Sequence, residues 1–154
     1  MRLVLIFPLV IFVTACASQY IPSGEVDAQR MASIKSTCLV TTSRADQTEK
    51  TTAVTPEMTS LVAQRLRYHG LKVRIFQPVD GITLDLSDCE TITTYSVKAS
   101  WDIVSYVAGG SISIANQTGE VISSVDYKES EVSLTKLGGN KAKMDALVDA
   151  VLGK

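Results

Sequence analysis

Met1-Arg2 is followed by an apolar run from Leu3 to Val13, interrupted by Pro8, which ends on the small residues Thr14 and Ala15 and then a cysteine, Cys16. A charged end, a short hydrophobic stretch and a small-residue close make the grammar of a secretory leader. A transmembrane helix needs about 20 apolar residues to cross a hydrocarbon core of ~30 Å, and the polar Ser18 and Gln19 arrive too early for one. The leader constrains everything downstream. It leaves the remainder of the 154 residues to fold as one domain, in an exported and oxidising compartment.

The remainder is rich enough to do so. Hydrophobic residues are 45% of the chain and charged residues 20%, an ordinary globular balance. Fifteen basic residues against sixteen acidic ones offer no electrostatic footprint for nucleic acid. Of the three cysteines, Cys38 and Cys89 are left for the folded domain.

Val13-Thr14-Ala15-Cys16 resembles the lipobox of bacterial lipoproteins, an aliphatic residue and two small ones before an invariant cysteine. The resemblance implies a diacylglycerol thioether on Cys16, signal-peptidase cleavage between Ala15 and Cys16, and acylation of the new amino terminus. Each buried methylene contributes about 0.8 kcal/mol, so two or three chains anchor stably where one binds marginally. In Gram-negative lipoproteins an Asp after the cysteine tends to retain the protein in the inner membrane. Ala17-Ser18 stand there instead, so outer-membrane attachment facing the periplasm is expected for a Gram-negative host. The membrane lipid is reached through acylated Cys16.

Residues 17–32, ASQYIPSGEVDAQRMA, show Pro and Gly punctuation and no periodicity, and are expected to be a flexible tether. Its reach is about 55 Å fully extended and ~22 Å as a coil. The expected organisation is a leader over 1–15, a lipidated terminus and tether over 16–32, and a single domain over 33–153.

Within that domain, Ile34 to Val40 predicts a first strand with Ile34, Ser36, Cys38 and Val40 on one face. A Thr-rich loop follows over 41–54, longer than usual connections. Thr55-Pro56-Glu57 opens a helix in the preferred order of hydroxyl cap, proline and acid. Met58, Leu61, Val62 and Leu66 mark its buried stripe and Gly70 ends it. Strands are expected over 71–76, at Ile82 to Leu86, and over 91–103, where Tyr95, Val97, Ala99, Trp101 and Ile103 alternate with polar residues. Gly109-Gly110 punctuates. Ser111 to Ala115 and Val121 to Tyr127 pair as a hairpin about residues 116–119, and Glu131 to Leu134 extends the sheet. A final helix capped by Gly138-Gly139-Asn140 turns Met144, Leu147, Val148 and Val151 inward. The expected fold is α+β: a two-layer sandwich in the order β-α-β-β-β-β-α, with a mixed, mostly antiparallel sheet of four to six strands and both helices on one face.

From Thr91 onward, Ser100-Trp101-Asp102 on a long strand, Lys136-Leu137-Gly138, and a helix ending in residues 147–152 resemble small Gram-negative envelope lipoproteins. That family implies a small α+β envelope domain and no established activity. The order of elements also resembles lipoprotein subunits that assist outer-membrane export machines, a likeness of topology alone.

Chemistry-bearing residues are sparse. Bridging Cys38 to Cys89 would close about 52 residues and stabilise by roughly 4 kcal/mol in the chain-entropy model; two buried free thiols are the alternative. With one histidine, His69 at a helix end, a zinc site or serine triad is not readily assembled. Asp80, Asp85, Asp88 and Glu90 cluster locally but lack EF-hand ligand order. Asp102 has no paired carboxylate legible in sequence. Trp101 is expected to pack in the core. No catalytic residue, metal or cofactor is expected. The leading expectation is a non-enzymatic accessory domain that offers a sheet edge or the Thr-rich loop to an envelope protein partner. A periplasmic binder of a lipid, glycan or peptidoglycan fragment is the alternative, with a hydrolase a distant third.

Overall fold

The computed structural model describes residues 26–41, 55–79, 83–101, 105–128 and 139–154. The elements are α1 (Ala28–Ser33), β1 (Ser36–Thr41), α2 (Pro56–Tyr68), β2 (Lys72–Phe76), β3 (Thr91–Trp101), β4 (Ser105–Asn116), β5 (Val121–Lys128) and α3 (Asn140–Val151). The fold is α+β, with one mixed sheet in the order β2-β1-β3-β4-β5. β1 runs parallel to β2 and to β3, whereas β3-β4 and β4-β5 are antiparallel and longer.

α2 starts as its sequence dictates. The Thr55 hydroxyl accepts the Met58 N–H and Pro56 occupies the first turn, where its missing N–H costs nothing. Gly70, at φ 89°, lets the chain reverse into β2. α2 and α3 lie side by side on one sheet face. Between the layers, Tyr95, Leu39, Ile112, Ile114 and Val125 of the sheet meet Val62, Leu66, Met144, Leu147, Val148 and Val151 of the helices. Buried polar groups are satisfied locally: the Thr37 and Thr93 hydroxyls meet at 2.7 Å, as do those of Thr59 and Tyr95. Burial raises the Tyr95 phenol above its ordinary value, and the Thr59 hydrogen bond partly offsets this.

Three sequence expectations shift, and the sense of β1 is settled. The folded unit begins before residue 33, because α1 seats Met31 in the core; a six-residue helix is too short to show a period. The helix-covered face of β1 carries Thr37, Leu39 and Thr41, and not Ser36, Cys38 and Val40. Cys38 is nevertheless fully buried, because the opposite face is covered there too. Gly109 and Gly110 lie inside β4, which starts at Ser105, so they are not a break between elements. A Cβ on Gly110 would come within 2.9 Å of the Ser96 carbonyl oxygen, and one on Gly109 within 3.0 Å of the Tyr127 carbonyl, next to a register shift in β3. Glycine here marks close approach of strand backbones. Finally, the described residues of the proposed 82–86 strand, Thr83 to Leu86, pair with no strand.

The expected loop residues 42–54, together with Asp80, Ile82, Asp102, Ile103, Glu131 to Leu134 and Gly138, lie outside the described residues.

Candidate functional site: an open strand edge beside a stapled crossover

Parallel strands demand crossovers, and this sheet needs two. From β1 to β2 the crossover is α2. From β2 to β3 the chain must step back over β1, and a right-handed path in that direction places the connection on the face opposite the helices. The segment ending at Glu90 does this. Cys38, on the helix-free face, is bonded to Cys89 with Cα atoms 5.6 Å apart. Arg74, beside Cys38 in register, forms an ion pair with Asp88. Gln117 donates to the Ser87 and Cys89 carbonyls from the β4-β5 turn. The disulfide therefore joins a crossover with no helix among its described residues to the strand beneath it.

The acidic cluster is absorbed by this geometry. Asp85 accepts from the Ser87 N–H and hydroxyl, which hold its carboxyl below the ordinary range. Asp88 pairs with Arg74, and Glu90 accepts the Lys35 N–H at 2.7 Å. Among the described residues no group of three His, Cys, Asp or Glu side chains has a metal-binding arrangement.

His69 belongs to a different structure. Its Nε2 lies 2.7 Å from Asp149 Oδ1, and Arg65 Nε and Nη2 reach the two oxygens of the same carboxylate at 2.7 and 2.5 Å. Arg65 foremost, and then His69, hold Asp149 below the usual carboxylate range against the opposing effect of burial. The triad ties α2 to α3. Sequence inspection placed His69 correctly at a helix end but had no signal for a partner 80 residues away.

The two sheet edges differ. At β5, the Asp27 N–H reaches the Ile122 carbonyl at 3.4 Å, and Arg30 of α1 pairs with Glu120, so α1 covers the start of that strand. At β2, the Lys72 N–H donates inward to Lys35 O. By the strand's period of two, Val73 and Ile75 turn their backbone groups outward. The Val73 carbonyl takes a hydrogen bond from Arg67 Nη2 at 3.0 Å; among the described residues no second strand pairs with this edge. Ile75 is 43% exposed and Val79 56%. Cys16 and Ala15 lie outside the described residues.

No protein-family model and no curated protein matches the chain. Among solved structures, the chain is similar to a point variant of the PelC dodecamer from Paraburkholderia phytofirmans, with 14% identity and a TM-score of 0.45 over 87% of this chain and 94% of that one. A second structure, titled PelC dodecamer from the same organism, gives 16% identity and a TM-score of 0.44 over 77% of this chain and 84% of that one. Likeness at this level carries no functional inference.

Proposed function

We propose that this chain is a lipid-anchored envelope lipoprotein whose domain has no catalytic activity and acts by strand addition at β2 to a protein partner. The reading gives it a periplasmic domain held at the outer membrane by acylated Cys16. The observation that carries it is the β2 edge, where Val73 and Ile75 aim backbone groups outward beside exposed Ile75 and Val79. An extended segment that pairs there gains main-chain hydrogen bonds and side-chain contacts together. Arg67 guards half of this edge in the free domain by occupying the Val73 carbonyl, as natural edge strands require. The crossover stapled at Cys89 backs β1 and β2 on the face opposite α2 and α3. Supporting the absence of catalysis, the described chemistry-bearing side chains, Asp85, Asp88, Glu90, His69 and Asp149, are engaged within the fold.

The test is in-cell photocrosslinking from a benzophenone amino acid at Val79, with and without Ile75→Pro. Proline at 75 removes an outward N–H and leaves the β1 ladder intact. The expected result is a discrete adduct with another envelope protein that Ile75→Pro abolishes while circular dichroism stays unchanged. Recovery of the uncrosslinked monomer alone would defeat the proposal. A ligand-binding domain would need a cavity between the layers, where the described side chains named above pack as one hydrophobic cluster.

A further inference from the structure

We infer that the end of the domain bearing α1, the β4-β5 turn and the C-termini of α2 and α3 rests against an anionic lipid surface. The inference rests on the anchoring reading of Cys16. Ten residue steps, through nine intervening residues, separate Cys16 from Val26, where the described chain begins. That span is at most about 35 Å when extended and ~17 Å as a coil. Val26 is therefore kept near the bilayer, and its position decides which end of the molecule is proximal.

Strand direction fixes the rest of that end. β1, β2 and β3 start there, at Ser36, Lys72 and Thr91; β4 finishes there at Asn116 and β5 starts there at Val121. Val26 sits beside Gly153, and Asp27 and Arg30 meet Ile122 and Glu120. Among the described residues four large hydrophobic side chains are exposed, and two of them are at this end, Tyr68 at 74% and Val121 at 57%. Tyrosine suits a bilayer interface because its ring is apolar and its tip polar.

Charge is asymmetric in the same place. Two of the acids are ion-paired, Glu120 with Arg30 and Asp149 with Arg65 and His69, while Asp27 and Glu90 are turned inward onto the backbone N–H groups of Arg30 and Lys35. Lys35, Lys72 and Lys154 are exposed, and among the described residues none of them has an ion-pair partner. Each lysine near an anionic surface favours association roughly fivefold. The exposed Val79 follows the other end of β2 and faces away from the bilayer.

The experiment uses lipidated protein purified from membranes and reconstituted on vesicles of equimolar phosphatidylethanolamine and phosphatidylglycerol, with a benzophenone amino acid at Val121, Tyr68 or Val79. Mass spectrometry first reads Cys16; a missing acyl group overturns the anchoring reading and this inference together. With Cys16 acylated, lipid adducts are expected at Val121 and Tyr68 and not at Val79. Equal adducts at all three positions, or adducts at Val79 alone, overturn the orientation and leave the anchor standing. The Lys35→Gln, Lys72→Gln double variant is expected to lower the Val121 yield several-fold on these vesicles and not on phosphatidylcholine; an unchanged yield on the anionic vesicles overturns the electrostatic part.

Discussion

At the residue scale the strongest constraints are steric and electrostatic, and both lead to measurable differences. Gly110→Ala pushes a methyl group against the Ser96 carbonyl, a backbone atom that cannot rotate away. A loss of about 1 to 3 kcal/mol is expected from urea unfolding, the usual range for overpacking. Asp149 gives a pH-dependent expectation. Its carboxyl is held below the ordinary range in the folded state, so its contribution is present above the unfolded value of about 3.9 and is lost as pH falls through the lower folded value. Asp149→Asn is therefore expected to lower stability near neutral pH, and the gap from the parent should close on acidification below both values. A gap that widens toward acid would contradict the assignment. The Arg65-His69-Asp149 cluster was not legible in sequence, because each member reads locally as an ordinary helix-surface residue and helix pairing alone brings them together.

At the scale of elements, signals with a period or a cap were readable and signals that depend on neighbours were not. The start of α2 was legible because Thr55, Pro56 and Glu57 are consecutive and each answers a local need of a helix N-terminus. Thr55→Ala is expected to cost about 1 kcal/mol in thermal or urea unfolding. The long β3 was legible from the alternation of Tyr95 and Val97 with Ser96 and Lys98. β1 was legible as a strand with Ser36, Cys38 and Val40 on one face, but which face the helices cover was not, because the core-facing residues include Thr37 and Thr41, whose hydroxyls are satisfied by Thr93 and by the Thr91 and Phe76 carbonyls. A buried threonine with a partner looks polar in sequence and behaves as core in the fold. Gly109-Gly110 misled for a related reason: glycine pairs usually punctuate, and here they admit neighbouring strands.

On the scale of the whole molecule, the cysteines connect compartment to topology. The Cys38 to Cys89 bond spans a sequence separation of 51 residues and holds the β2-to-β3 crossover against the sheet. Replacing both with alanine is expected to cost roughly 4 kcal/mol in equilibrium unfolding if loop entropy dominates. Such a bond persists in an exported protein, which is what the proposed leader would make of this chain. Among the described residues the β5 edge is met by α1 and no strand pairs with the β2 edge, and under the proposed anchoring this domain would present that edge in a fixed setting at a membrane. All of this depends on the chemistry of one thiol. The direct measurement is intact-mass and N-terminal peptide mass spectrometry of the protein isolated from membranes. The account expects a chain that begins at Cys16 and carries a diacylglyceryl thioether. An uncut chain, or a mature chain with an unmodified Cys16, would contradict it.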